Sequence, residues 1–163
     1  MQTITKDEVY HILEKVKDPE IPVLTILDMG VIRDVKLEGE NVEVVITPTY
    51  SGCPAMDMIE VEIKSVLQEN GFQNPKVTTI LTPAWTTEWL SENGRKKLKE
   101  YGIAPPVEPS KDKNALFQDE KIVQCPQCDS MDTKLVSQFG STPCKSLYKC
   151  NDCLEPFDYF KCH

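Results

Sequence analysis

The chain has 163 residues, of which 40% are hydrophobic, so it can bury a core and form one domain with an appendage or two small domains. Its 26 acidic and 18 basic residues give a formal net charge of -8, which argues against binding to the phosphate backbone of nucleic acids and to anionic lipid. The first eight residues lack the apolar core of a signal peptide and no run approaches a membrane span, so we expect a cytoplasmic protein.

The first fifty residues predict a helix followed by a β-hairpin. Thr5 and Glu8 form a capping-box pattern, and apolar residues then recur at helical spacing. The residue before a proline is pushed out of the helical region, so the Asp-Pro-Glu-Ile-Pro stretch at 18–22 should end that helix. The expected elements are a helix at 6–17, a turn at 28–30, and hairpin strands at 31–37 and 42–47 joined by a Glu-Gly-Glu-Asn turn.

A strand, a hydroxyl-rich turn and a helix follow one another around Cys53. Apolar residues recur at helical spacing as far as about Asn70, and Gly71 is placed as the C-terminal cap. Pro54 suits the first helical position because its missing N–H costs nothing there, which makes Cys53 the expected N-cap. At an N-cap the free backbone N–H groups and the helix dipole favour a thiolate over a thiol.

The next elements complete a small domain of the α/β (α+β) class. Residues 76–82 form a predicted third strand, and the strand, helix and strand from 42 to 82 would form a right-handed crossover that leaves the two strands parallel. The expected result is a mixed three-stranded sheet covered by helices, with Cys53 at the edge where ligands of open α/β sheets gather. We also expect Thr86 or Thr87 to cap a last helix that ends near Tyr101, and Trp85 and Trp89 to lie in or over the core, with a lid or partner contact near Cys53 as the alternative.

Composition divides the chain into a first domain at 1–102, a linker at 103–121 and a cysteine-rich domain at 122–163. Prolines, charged residues and the lack of an apolar period are typical of an extended linker. Six of the seven cysteines lie beyond position 124, in a segment that is too small for a large core and should need a metal for stability.

Two Cys-x2-Cys pairs predict a zinc ribbon in the last domain. Cys125, Cys128, Cys150 and Cys153 offer four thiolates on two short knuckles, which satisfy tetrahedral zinc in a closed structural site; iron in a rubredoxin-like site is the alternative. The ribbon strands are expected at 133–139, 145–150 and 155–160. Because residues 122–163 carry a net charge of only -1, we expect the ribbon to contact protein rather than nucleic acid.

Two interpretations stay open for the remaining cysteines of this domain, Cys144 and Cys162. They are either small buried thiols or part of a second soft-metal or cluster site. His163 could add a nitrogen ligand to such a site.

Cys53 lacks the companions of a catalytic cysteine. The chain has only two histidines, His11 and His163, and no pattern places either near Cys53. Ile59 stands where a phosphatase-type loop would need an arginine. A thiolate on an exposed turn is a good ligand for an iron–sulfur cluster or copper(I), but one cysteine cannot complete such a site. It would need a second copy of the chain, as in a homodimer, a partner protein, or other cysteines of this chain; a packed N-cap cysteine is the alternative.

Four short motifs stand in a recognisable order and spacing: Asp-Pro-Glu-Ile-Pro at 18–22, Asp-Met-Gly-Val-Ile at 28–32, Thr-Pro-Thr at 47–49 and Cys-Pro at 53–54. They resemble the metal–sulfur cluster assembly factor family, which includes SufT-like proteins and the eukaryotic cytosolic cluster-targeting factor. The resemblance covers about the first hundred residues and implies an α/β domain that helps to deliver iron–sulfur clusters, with Cys53 as its reactive or ligand cysteine. The residues that it places around Cys53 are Asp18, Glu20, Asp28, Thr47, Thr49 and Ser51.

Further stretches extend a resemblance over the whole chain: 49–55, 94–98, 101–106, and 139–142 through Cys144 to 155–162. Together they resemble the D subunits of phenylacetyl-CoA epoxidase, accessory proteins of aerobic phenylacetate catabolism. The resemblance implies a non-catalytic assembly factor that matures the iron–sulfur cluster of the reductase, with a structural zinc and a transiently bound cluster as cofactors. The implied partners are the reductase and oxygenase subunits and the cluster assembly machinery, with neither nucleic acid nor membrane; a bridging structural subunit is the alternative.

Overall fold

A computed structural model describes residues 3–49, 52–106, 122–142 and 144–160, and the chain divides into two compact units, Met1–Gly94 and Arg95–His163. The first unit contains α1 (Lys6–Leu13), α2 (Ile26–Met29), β1 (Ile32–Glu38), β2 (Asn41–Ile46), α3 (Ala55–Glu69), β3 (Lys76–Thr79) and a 3₁₀ turn (Thr87–Trp89). Helix α4 (Glu92–Tyr101) contains the boundary, and the second unit adds β4 (Ile103–Ala104), β5 (Thr133–Ser137), β6 (Lys145–Cys150) and β7 (Pro156–Phe160). Within the described ranges, no helix has the length and apolar character needed to cross a bilayer.

The first unit has the expected mixed three-stranded sheet, in the order β1-β2-β3. Strands β1 and β2 form the antiparallel hairpin, and β2 pairs in parallel with β3 after the α3 crossover. The apolar stripes of the helices are buried: Val9 and Leu13 of α1, and Ile59, Ile63 and Leu67 of α3. The predicted fold class, strand order and crossover are therefore confirmed.

Helix α1 ends four residues earlier than its apolar period suggests. Its capping box is present, since the Thr5 side chain accepts the Glu8 N–H and the Glu8 side chain accepts the Thr5 N–H. The expected end at Lys17 is wrong because Lys17 instead forms an antiparallel bridge with Thr25. The carbonyl of the buried Val16 accepts the N–H of Ile26, so this segment bonds to the approach of α2.

The expected turn at 28–30 is the end of the short helix α2. Thr25 and Asp28 form a second capping box, and Gly30 ends the helix with φ of 69°. A Cβ on Gly30 would lie 2.2 Å from the carbonyl oxygen of Trp89, so both the backbone conformation and the space require glycine here.

The expected single helix from Thr86 or Thr87 to Tyr101 is wrong, because Leu90 has extended backbone between the 3₁₀ turn and α4. The Ser91 Oγ accepts the N–H of Gly94 at 2.9 Å, so Ser91 caps α4. The core interpretation of Trp85 is confirmed: the ring is buried and its Nε1–H donates to the carbonyl of Met29 at 2.7 Å. Trp89 is half-buried, and the guanidinium of Arg33 lies 3.6 Å from its ring centre.

The second unit contains a four-stranded sheet in the order β4-β7-β6-β5. Its three ribbon strands are antiparallel neighbours, as expected, while β4 pairs in parallel with β7. Strand β4 consists of the first two residues of the expected linker, so these two residues belong to the ribbon sheet. Residues 107–121, the larger part of the expected linker, lie outside the described ranges.

Candidate metal centre and the Cys53 turn

The structure brings the four cysteines of the two Cys-x2-Cys pairs together in the second unit. Their Sγ atoms all lie within 4.8 Å of one another. Sγ of Cys125 is 3.7 Å from that of Cys153, and Sγ of Cys128 is 3.6 Å from that of Cys150. Each close pair therefore consists of one cysteine from each knuckle.

The two knuckles have the same local backbone geometry. The residue after each second cysteine has a positive φ, 62° at Asp129 and 66° at Leu154. The N–H of each first cysteine bonds to a carbonyl beyond its knuckle, Cys125 to Ser130 at 2.9 Å and Cys150 to Glu155 at 3.0 Å. These bonds fold each knuckle back on itself, so that its two thiols point to one centre.

The spacing of the sulfurs fits one tetrahedral ion. Four sulfurs at about 2.3 Å from a central ion lie about 3.8 Å apart, close to the distances found here. A disulfide would need sulfurs about 2.05 Å apart, so the pairs are not disulfides. Cys125, Cys128, Cys150 and Cys153 would hold the ion, and its chemistry would be that of a closed four-thiolate site, with no position left for a reactant.

The pKa values of two of the clustered thiols, Cys150 and Cys153, are shifted in opposite directions. Hydrogen bonding from the backbone of Cys153 lowers the pKa of Cys150 to about 7. At Cys153 the backbone of Glu155 acts in the same direction, but burial and the neighbouring thiols outweigh it and raise the pKa to about 12. A cation bound at this cluster would have to displace the proton of Cys153.

Cys53 lies on the connection between β2 and α3 and is half-buried. The prediction that it caps α3 is wrong, since Pro54 occupies the N-cap with helical φ of -67° and ψ of -21°. The carbonyl of Cys53 accepts the N–H of Met56 at 3.2 Å, which places Cys53 in the tight turn just before the helix. Pro54, as the N-cap, makes no side-chain hydrogen bond to the first N–H groups of α3.

The connection leaves β2 at the edge of the sheet where β3 also ends. The N–H of Ile80, just beyond β3, donates to the carbonyl of Ile46 at 2.9 Å. The next residue, Thr47, donates its own N–H to the carbonyl of Val31 at 2.8 Å and is buried. Its Oγ1 is a buried polar atom with no hydrogen-bond partner among the described residues, an arrangement that proteins seldom leave without a reason.

The two aspartates expected around Cys53 hold backbone in place. Oδ1 of Asp18 accepts the N–H groups of Glu20 and Ile21, both at 2.8 Å, in the loop before α2. The carboxylate of Asp28 accepts the N–H of Thr25 at 3.2 Å and also bonds to two residues far along the chain. These are the hydroxyl of Ser91 at 3.2 Å and the amide of Asn93 at 3.3 Å.

Thr47, Thr49 and Cys53 lie on the connection between β2 and α3. The segment from Asp28 through Gly30 leads to Val31, whose carbonyl accepts the N–H of Thr47. Thr49 and Glu20 are half-buried. Ser51, Cys162 and His163 lie outside the described ranges, and Cys144 is buried with its Sγ 3.0 Å from Oγ1 of Thr142.

Sequence reasoning missed Ser91 and Asn93 as partners of Asp28. No local pattern joins positions more than sixty residues apart, so neither contact had a signal. The capping box at the start of α2 did have a signal in the sequence, since Thr25 precedes Asp28 by three residues.

Two family models match separate parts of the chain. A family model described as "Iron-sulfur cluster assembly protein" matches residues 6–80, which include Cys53. A model described as "PaaD zinc beta ribbon domain" matches residues 109–161, which include all four clustered cysteines. The ribbon model begins inside the segment that composition marks as a linker.

Among known proteins, the D subunit of a 1,2-phenylacetyl-CoA epoxidase from Escherichia coli (strain K12) is 48% identical over 155 residues, 95% of this chain and 92% of that protein. An Fe-S protein maturation auxiliary factor of Porphyromonas gingivalis is 30% identical, covering 58% of this chain and 90% of that protein. A similar factor of Bacillus subtilis is 29% identical, covering 56% and 90%.

Two solved structures resemble the first part of the chain. A domain of unknown function, DUF59, from Bacillus anthracis has a TM-score of 0.54 and 29% identity, covering 57% of this chain and 90% of that one. A conserved hypothetical protein of Thermotoga maritima has a TM-score of 0.52 and 29% identity, covering 60% and 97%.

Proposed function

The chain belongs to the family of 1,2-phenylacetyl-CoA epoxidase D subunits, and from that membership we propose that it delivers an iron–sulfur cluster to the reductase component of the epoxidase. An accessory role in iron–sulfur assembly follows from its relatives, which are named as an epoxidase subunit and as maturation auxiliary factors. The delivery step and its recipient are the parts that we add.

The observation that carries the proposal is the buried hydroxyl of Thr47, which has no hydrogen-bond partner in the described part of the chain and lies on the same connection as Cys53. A buried polar group without a partner costs about 1–3 kcal/mol, so its retention suggests a ligand that satisfies it. Helix α3 starts on this connection with Pro54 as an N-cap that makes no side-chain cap bond, and helix N-termini favour anionic ligands such as a thiolate-bound cluster. The half-buried thiol of Cys53 adds a sulfur ligand to this polar site. The set of cluster ligands stays incomplete, as a transfer site requires.

We assign the following roles within this site. Cys53 contacts the iron or the cluster, and Glu20, Thr47, Thr49 and Ser51 surround it. Asp18 and Asp28 belong to the site as residues that hold its backbone, because their oxygens already accept N–H groups of neighbouring segments.

The ribbon supplies stability rather than transfer. Cys125, Cys128, Cys150 and Cys153 hold a structural zinc, because a closed four-thiolate site has no open position for exchange. The cluster itself is bound only transiently, and it is received from the cluster assembly machinery. The oxygenase subunits of the epoxidase are the further partners.

The role is non-catalytic. His11, the histidine of the described residues, is an exposed residue of α1 whose Nδ1 lies 3.2 Å from a carboxylate oxygen of Glu14. A cysteine nucleophile needs a base within hydrogen-bond reach, and an exposed histidine paired elsewhere supports no such role.

The test is anaerobic transfer of a cluster to apo-reductase, read as iron and acid-labile sulfide bound per reductase. Cys53→Ser should retain the fold and lower the cluster content of the reductase towards the level seen without this protein. Cys144→Ser is the matched control, since it removes a thiol from the second unit and should leave transfer unchanged. Full loading by Cys53→Ser, or an equal loss with folded Cys144→Ser, would refute the role given to Cys53.

A bridging component is the second candidate, favoured by the word "subunit" in the name of the Escherichia coli relative. A bridge would be colourless after anaerobic purification, would contain one zinc and would stay in the active complex in a fixed ratio. A delivery factor would be brown when loaded and would leave the complex after transfer.

A further inference from the structure

Large apolar side chains are exposed on the first unit. Within its described residues, three are more than half exposed: Met58 at 58%, Val61 at 67% and Leu81 at 61%. Single exposed apolar residues are ordinary on a protein surface, so the position of these three decides whether they mean anything.

Met58 and Val61 belong to the helix that follows Cys53, and Leu81 follows the strand that pairs with the strand before Cys53. Met58 and Val61 are three residues apart in the first two turns of α3, so they are neighbours on the exposed face of that helix. Leu81 follows Ile80, whose N–H bonds to the carbonyl of Ile46 at the end of β2. The beginning of α3 and the end of β2, beside which β3 ends, are joined by the connection that carries Cys53. We call Met58, Val61 and Leu81 the apolar rim.

Acidic residues accompany the apolar rim. Asp57 and Glu62 are exposed next to Met58 and Val61 in the sequence of α3. Helix α3 has four carboxylates against one lysine, and that lysine, Lys64, pairs with Glu60 at 2.6 Å. Residues 1–94 carry 16 acidic and seven basic residues, a net charge of -9.

We propose that the apolar rim is the docking surface for the client that receives the cluster, and that the client presents apolar side chains surrounded by lysine and arginine. The inference rests on the proposed function, because it names the partner of the same site. Charge complementarity with α3 supports a basic partner and would speed its approach. A central apolar contact ringed by charge is also the usual anatomy of a protein interface.

A second copy of this chain is a poorer occupant of the same surface. In a two-fold dimer the same patch meets itself, so Asp57 and Glu62 would approach the same carboxylates of the other copy. With a net charge of -9 on residues 1–94, that arrangement brings like charges together in both copies.

The experiment measures the affinity of the full chain for apo-reductase by titration calorimetry at two salt concentrations. The variant Met58→Gln/Val61→Gln/Leu81→Gln should weaken binding by about tenfold or more, as expected when central apolar anchors are truncated. Val136→Gln is the control, because Val136 is exposed to a similar degree, 54%, but lies in the ribbon. It should bind as the wild type does.

A second pair of variants tests the charge. Asp57→Lys/Glu62→Lys should slow association and remove most of the salt dependence of binding. Glu38→Lys/Glu40→Lys changes the net charge equally, on the exposed β1–β2 turn, and should have a smaller effect. Equal effects of the two charge reversals would leave only a general attraction and would overturn the assignment of this surface.

The two proposals fail in different ways. If Cys53→Ser binds the reductase normally but does not load it, while the apolar-rim variant loses binding, both stand. Normal binding by the apolar-rim variant, or no binding of the wild type to apo-reductase, overturns the docking surface. The docking surface is also overturned if sedimentation shows that the wild type is a dimer and that the apolar-rim variant is a monomer. Normal loading by Cys53→Ser overturns the proposed function, and the binding data still decide the surface.

Discussion

Asp28 is the residue for which the resemblance and the structure suggest different roles, and Asp28→Ala separates them. The resemblance places Asp28 around Cys53, whereas in the structure its carboxylate accepts hydrogen bonds from Thr25, Ser91 and Asn93. Only 7% of the residue is exposed, so little water can replace the lost oxygens. We therefore expect Asp28→Ala to destabilise the first unit strongly.

The magnitude follows from the three donors. A hydrogen bond to a charged group contributes about 1.5–3 kcal/mol, and the distances of 3.2–3.3 Å argue for the lower end of that range. The half-buried hydroxyl of Ser91 and the exposed amide of Asn93 can turn to water, while the N–H of Thr25 cannot move. We expect a loss of about 2–4 kcal/mol in the free energy of unfolding, or roughly 10–25 °C in the melting temperature of a unit of this size.

The assay is urea unfolding followed by tryptophan fluorescence. Both tryptophans, Trp85 and Trp89, lie in the first unit, so their signal follows that unit alone. Asp28→Asn is the matched control: it keeps one acceptor oxygen and the shape of the side chain, and should lose about half as much stability. At a temperature where it is folded, Asp28→Asn should still transfer a cluster to the reductase.

Two outcomes would contradict this reasoning. A change in stability below about 0.5 kcal/mol for Asp28→Ala, the level of an ordinary surface substitution, would mean that the three contacts do not hold the unit together. A folded Asp28→Asn protein that no longer transfers a cluster would make Asp28 a direct participant rather than a support for the backbone.

Two further predictions concern the ribbon and the sheet. Cys150→Ser should release the bound metal and unfold the second unit, because a closed metal site contributes folding free energy directly; metal analysis with far-ultraviolet dichroism checks this, and unchanged metal content would contradict it. Hydrogen bonding from Thr78, together with Lys36 and Lys76, lowers the pKa of Glu43 below its ordinary 4.5. The carboxylate therefore stabilises the fold above that pH and loses its effect as the pH falls through the lowered pKa. Glu43→Gln should reduce stability at pH 7 and flatten the acid decline; acid titrations that coincide for the two proteins would exclude this linkage.

The elements that the sequence predicted well depend on residues a few positions apart. The capping box of Thr5 and Glu8 and the apolar period of α3 each have a local pattern with a local physical cause. The Cys-x2-Cys spacing likewise limits how two thiols can be arranged, and the structure brings both pairs to one centre. The resemblance then identified the family, which the whole-length relative supports.

The parts that failed were decided by partners far away in the chain. Residue 17 satisfies a helical period but bonds to Thr25, and β4 pairs with β7 more than fifty residues later.

One failure was local. The N-cap of α3 is Pro54 rather than Cys53, because the helical backbone begins one residue later than the sequence of the turn suggested.

By itself, the sequence determined the fold class, the family, the two cysteine knuckles and the position of Cys53 between a strand and a helix. Only the tertiary structure decided that Asp28 is bonded to Ser91 and Asn93, that the hydroxyl of Thr47 is buried without a partner among the described residues, and that Met58, Val61 and Leu81 are exposed. The physical reason is that hydrogen bonds and burial depend on distances in space. Local propensity specifies a distance only between residues that are close in the sequence.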